Sequence, residues 1–143
     1  MRIGIPCETK RRAAVPLRRA VDYLALNIDA PPSVNAAYAN VPGKGRVKTR
    51  AYREWKERAA WQVEAQRPGR IEGAYRIKIA VRRASLRRDL GNFEKLISDL
   101  LVSCGVLDDD KHAEKIELSL SDSVRSGCQV IVSRADYGRA AAA

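Results

Sequence analysis

Leu24, Leu26 and Ile28 alternate with Tyr23, Ala25 and Asn27, the period of two expected of a strand with one buried face. The spacing predicts a strand over residues 22–29. Ala30-Pro31-Pro32-Ser33 stops it, because proline cannot donate to a ladder. Residues 33–50 lose the period. Ser33, Asn35, Asn40, Pro42, Gly43 and Gly45 are interleaved there with Lys44, Arg46, Lys48 and Arg50, so the stretch reads as a long basic loop with room for a short strand. Tyr52, Trp55, Ala59 and Val63 then recur at steps of three and four, predicting a helix over 51–66 that Arg67-Pro68-Gly69 ends. Tyr75, Ile77, Ile79 and Val81 mark a second strand that runs into Arg82, Arg83, Arg87 and Arg88. Phe93, Leu96, Ile97, Leu100, Leu101 and Cys104 trace the clearest helix, over 90–104. Asp89 is placed as its N-cap and Gly105 follows its end. Ile116, Leu118 and Leu120, then Cys128, Val130 and Val132, alternate on either side of a turn at 122–127 and read as a β-hairpin. The order strand, helix, strand, helix, strand, strand predicts an α+β domain, a mixed sheet covered by two helices. Residues 1–20 read as a flexible basic extension, 21–137 as the domain and 138–143 as a C-terminal tail.

Composition narrows the class. The chain has 143 residues and a formal net charge of +10, which points to a polyanionic partner. No apolar run approaches the roughly 18 residues of a membrane span, so no membrane association is expected. Cys7, Cys104 and Cys128 are an odd set without CxxC spacing. A disulfide framework or zinc site is not expected, and a reducing cytoplasm fits. The charge is uneven: +5 over residues 1–20, +9 over 21–88, −5 over 89–110 and +1 over 111–143. A pure polyanion binder has no use for the acidic island.

On the second helix, Asp89, Asn92, Lys95 and Asp99 project opposite the apolar stripe, with Asn92 and Asp99 nearly coincident. Asp108, Asp109 and Asp110 follow after a short turn. Carboxylates beside arginines suit Mg²⁺, a hard ion commonly held by one or two protein carboxylates together with substrate phosphate. Equally, Asp89 can be a simple cap, the helix face a solvated one and Asp108–Asp110 an ordinary acidic turn.

Arg87-Arg88-Asp89-Leu90-Gly91-Asn92-Phe93-Glu94-Lys95 with Asp99, then Gly105-Val106-Leu107-Asp108-Asp109-Asp110, resembles the pattern D-x-D-N-x-x-K-x-x-x-D followed by G-V-x-x-D-D of the RusA family of Holliday junction resolvases. Pro31-Pro32-Ser33-Val34-Asn35 resembles that family's early P-P-S-x-N motif. The resemblance implies a homodimeric, Mg²⁺-dependent nuclease (Mn²⁺ as substitute) that cuts four-way branched DNA in recombination and repair. No small-molecule cofactor is implied, and a bacterial, phage or prophage origin is expected. By position, Asp89 and Asp110 would be catalytic metal-binding carboxylates, with Asp109 a further metal ligand. Lys95 would be the catalytic lysine, and Asn92 and Asp99 would support the site. Arg82, Arg83, Arg87, Arg88, Lys44, Arg46 and Lys48 are the expected DNA contacts.

Gly91 departs from the pattern, because it stands at the second carboxylate of D-x-D and has no side chain to bind metal. Three readings stay open. Another acid, Asp108 or Asp109, compensates; the chain binds junctions without cutting; or the residue has been changed to trap an inactive form. Trp55 is expected in the core, Trp61 at a dimer interface, His112 at the surface and Cys104 in the core.

Overall fold

The computed structural model describes residues 17–83, 93–124 and 127–136. Their chain order is β1 (Tyr23–Ile28), α1 (Val34–Ala37), β2 (Tyr38–Val41), β3 (Gly45–Lys48), α2 (Arg50–Gln66), β4 (Tyr75–Arg82), α3 (Phe93–Ser103), a 3₁₀ turn (Asp110–His112), β5 (Ala113–Ser121) and β6 (Cys128–Arg134). The α+β class, a mixed sheet with two long helices, is as the sequence predicts.

Alternation decides which face is covered. Leu24, Leu26 and Ile28 of β1, Ile77, Ile79 and Val81 of β4, and Cys128, Val130 and Val132 of β6 are all buried, while the residues between them are exposed or half-buried. Tyr52, Trp55, Ala59, Ala60 and Val63 of α2 join Phe93, Leu96, Ile97, Leu100 and Leu101 of α3 in the same core cluster. Thr49 caps α2, its side chain accepting the Tyr52 N–H, and Arg67 ends it in the left-handed region at φ 48°. Trp55 is 1% exposed, and its indole donates to the Asp29 carbonyl at 2.9 Å. The Asp29 N–H donates to Gln62 at 2.8 Å, so α2 is stapled to the end of β1.

The topology corrects two expectations. The sheet order is β1-β6-β4-β5. Among the described residues β5 pairs only with β4, in parallel, whereas β6 runs antiparallel between β1 and β4. The last two strands are therefore not a hairpin. Periodicity marks the buried face of a strand and is silent about its neighbour. The expected turn at 122–127 lies partly outside the described residues; at the end of β4 the Arg82 N–H donates to the Gly127 carbonyl at 2.9 Å. A hairpin does form at β2–β3, registered Tyr38↔Lys48 to Val41↔Gly45, where the sequence reads as a basic loop with at most one short strand. Gly43 and Gly45 take positive φ at its turn.

Residues 18–20, the end of the expected extension, lie on the domain. The Arg18 guanidinium donates to the carbonyls of Cys104 (3.0 Å) and Pro68 (3.4 Å) and pairs with Glu64. Cys104 is wholly buried as expected, but its sulfur is disulfide-bonded, which the cysteine count gave no reason to expect. Cys128 is free and buried, its thiol pushed up to about 12 chiefly by burial. Among the described residues no helix is long and apolar enough to cross a membrane.

Candidate active site

Four elements converge on one open cleft of about 340 Å³. β3 supplies Lys48, α2 supplies Tyr52 and Lys56, α3 supplies Asp99, Val102 and Ser103, and the 3₁₀ turn supplies Asp110. Asp99 and Ser103 are one helical turn apart, so both project from the same side of α3. The cleft thus sets two carboxylates against two ammonium groups.

Asp110 is placed from beneath. Tyr75 at the start of β4 is 1% exposed, and its hydroxyl reaches the Asp110 carbonyl at 3.4 Å. Burial foremost, then the negative charges of Glu94, Asp110 and Asp109, push the Tyr75 hydroxyl up to about 12. It therefore remains a neutral donor at any physiological pH. Asp109 caps the 3₁₀ turn, accepting the Lys111 N–H at 2.9 Å. That backbone bond is the largest cause holding its carboxyl below the usual range, with Asp110, Lys111 and His112 acting in the same direction. Asp108 turns away and accepts the Gly73 N–H at 3.1 Å, with Arg70 at 3.6 Å. The three consecutive aspartates therefore have three separate jobs: anchor, cap and cleft wall.

Aromatic rings hold the cationic side. The Tyr52 ring packs tilted on Tyr38 (centroids 5.5 Å, 52° between planes) and edge-on to Trp55 (6.2 Å, 77°). Lys48 Nζ lies 5.2 Å and Lys56 Nζ 6.0 Å from the Tyr52 ring centroid, and the Arg46 guanidinium lies 4.2 Å from that of Tyr38. These distances place the cations over π faces, which bind positive charge. Burial foremost, with Tyr38 and Asp99 adding, pushes the Tyr52 hydroxyl upward.

Lys95 is exposed one turn before Asp99 and is not a lining residue of the cleft. Lys44 is exposed at the β2–β3 turn. Arg82 and Arg83 are exposed at the far end of β4, where Arg83 pairs with Asp122 at 3.1 Å. Asp89, Gly91, Asn92, Arg87 and Arg88 lie outside the described residues. Among the described residues, no three His, Cys, Asp or Glu side chains gather to hold a metal ion alone. Sequence reasoning assigns Tyr52 to the core and does not single out Lys56. A lysine four residues after an aromatic, on a helix beginning directly after a basic hairpin, is the available signal. Trp61, which falls off the apolar stripe of α2, is 42% exposed.

Comparison with known families adds the missing context. The family model for endodeoxyribonuclease RusA matches residues 29–133, well over half the chain. The chain belongs to the RusA family of endodeoxyribonucleases. That family comprises DNA-binding nucleases of recombination that resolve Holliday junctions. A comparison with curated proteins finds no match.

Proposed function

We propose that the chain is a divalent-metal-dependent endonuclease that acts as a homodimer on four-way DNA junctions, hydrolysing one phosphodiester per subunit. The observation that carries this reading is the family match together with Asp99 and Asp110 facing Lys48 and Lys56 across one cleft. The carboxylate oxygens suit Mg²⁺ or Mn²⁺, which keep several waters and share their shell with substrate phosphate. Asp110 and Asp89 would be the direct ligands, with Asp109 beside them and Asn92 and Asp99 in support. The bound ion would lower the pKa of its water and stabilise the leaving oxygen. Lys95 would approach the phosphate as negative charge develops on it. Lys48 and Lys56 would hold the strand, joined by Lys44, Arg46 and the arginines at 82, 83, 87 and 88. Two-fold symmetry suits a substrate that must be cut on two related strands.

Gly91 favours a second reading, a junction-binding protein that does not cut. Asp108 is engaged by Gly73 and Arg70, and Asp109 by the Lys111 N–H, so Asp99, which lines the cleft with Asp110, is the acid best placed to compensate. The test compares this chain with Gly91→Asp on a mobile four-way junction, with Mg²⁺ and with Mn²⁺. Equal nicking by both supports the nuclease with compensation. Nicking only by Gly91→Asp assigns the native chain to binding alone. No nicking by either, with junction binding intact, removes the enzyme reading.

A further inference from the structure

A polar cluster is buried where α3, β4 and the 3₁₀ turn meet. Tyr75, at the start of β4, and Ser98, on α3, are each 1% exposed. The Ser98 hydroxyl donates to the Glu94 carboxylate at 2.6 Å and lies within hydrogen-bonding reach of the Tyr75 hydroxyl. Tyr75 in turn reaches the Asp110 carbonyl at 3.4 Å. Phenylalanine and alanine at these two positions would be buried without a polar atom to satisfy, so the hydroxyls carry a desolvation cost that packing alone does not explain. Their neighbours in sequence are site residues. Lys95 follows Glu94 and Asp99 follows Ser98, while Tyr75 holds Asp110 by its main chain. We infer that Tyr75, Ser98 and Glu94 act together as positioning residues, fixing the turn that carries Asp110 against the helix that carries Lys95 and Asp99.

Under the function proposed above, on which this rests, groups on α3 and Asp110 on the turn must act on one phosphate. A displacement of about 1 Å in such a group can cost about a hundredfold in rate. Asp108 ties the approach to the turn to Gly73 and Arg70, and Asp109 caps the turn itself. Tyr75 adds the tie toward α3. The register between β4 and β5 shifts by one residue between Tyr75 and Arg76, where the turn passes into β5. Such irregularities commonly re-aim a side chain beside an active site. The Asp110 carbonyl also accepts the Ala113 N–H, and Ser98 keeps its bond to Glu94. Loss of the Tyr75 hydroxyl therefore leaves no member of the cluster buried without a partner. Its cost to folding should be small, while the turn loses its restraint toward α3.

Tyr75→Phe in the full chain separates positioning from packing. Hydrogen exchange at Lys111 and His112, whose N–H groups close the turn on Asp109, should quicken about fivefold with the urea midpoint near native. Mn²⁺ titrated without DNA should bind about tenfold more weakly, as loss of an outer partner of a metal ligand commonly causes. Where the chain nicks a junction, the single-turnover rate should fall about tenfold at unchanged junction affinity. Ser98→Ala should act in the same direction, and Tyr75→Phe/Ser98→Ala should do little more than Tyr75→Phe alone. Native exchange at both amides together with native Mn²⁺ affinity in Tyr75→Phe overturns the positioning role. So does exchange that quickens evenly along the chain with a lowered urea midpoint, which marks a core residue only. A chain that binds no Mn²⁺ and nicks no junction, yet shows the local change in exchange, supports the tie between turn and helix and counts only against the nuclease.

Discussion

The two ends of β4 carry similar charges in different surroundings. At its start, Tyr75 supports Asp110, and the cleft beside it holds Lys48 and Lys56 over an aromatic ring with Asp99 opposite. At its end, Arg83 is already paired with Asp122, and the Arg82 backbone closes the crossing to β6. Lys48 and Lys56, both within 6.0 Å of one ring centroid, gather two positive charges at a single cleft. A cation already paired with a carboxylate brings less net charge to a phosphate. On the proposed function the first end would carry the chemistry, while the second holds the topology, although both read as basic in the sequence.

The most direct way to break this comparison is at the cleft. Asp110→Asn removes one negative charge and keeps the shape. It is expected to lower junction cleavage at least about a hundredfold, as loss of a group aligned on the reacting centre commonly does. Junction affinity should be unchanged or slightly raised. Single-turnover cleavage and a gel-shift titration at matched salt check both parts. A variant that cuts at the native rate would move the chemistry away from this cleft.

At the far end the largest effect should fall on stability. Gly127 has φ +62°, and a Cβ there would overlap the Ile28 carbonyl oxygen. Both terms are unfavourable, so Gly127→Ala should cost about 2 kcal/mol, drawing on backbone strain and a forced shift of the β1 end. Urea unfolding measures it. Cleavage per folded molecule should persist. A loss of activity without a loss of stability would erase the distinction between the two ends.

β1, α2, β4 and the described part of α3 fall within a few residues of their expected bounds, because each has a buried face that repeats with its own period. β5 and β6 are legible as strands but not as partners. Their nearness in sequence suggests a hairpin, and β4 inserts between them. β2 and β3 escape a reading by period because Tyr38–Val41 and Gly45–Lys48 carry no alternation of apolar residues, though Pro42-Gly43-Lys44-Gly45 is a turn signal. In the site, motif spacing selects Asp99 and Asp110, which do share a cleft. Spacing cannot reveal that Asp108 is drawn to Arg70, or that Lys56 arrives from a different helix. Those are tertiary facts, set by where α2 docks on the sheet.

A finer separation of the two ends uses salt. Lys48→Met/Lys56→Met should weaken junction binding about tenfold at moderate ionic strength and lower the slope of log affinity against log salt by about two. Arg82→Met/Arg83→Met should lower the slope by less, since Arg83 is already offset by Asp122. Equal slopes for the two double variants would show that both ends grip the backbone alike.

The smallest expected effect concerns the cap that aims Asp110. Asp109 is ionised more readily in the fold than in the unfolded chain, mainly because it accepts the Lys111 N–H. A depressed folded pKa stabilises above the unfolded value, near 3.9 for Asp, and that contribution is lost as pH falls through the lower folded value. Asp109→Asn keeps a capping oxygen but cannot titrate. The urea midpoint of the variant should therefore fall less steeply than that of the native chain below about pH 4, and the two should run parallel near neutrality. Identical acid limbs would mean that the cap is not held in solution. Asp110 would then enter the cleft from a looser turn, and the contrast between a preorganised end and a merely structural one would lose its basis at the residue on which it most depends.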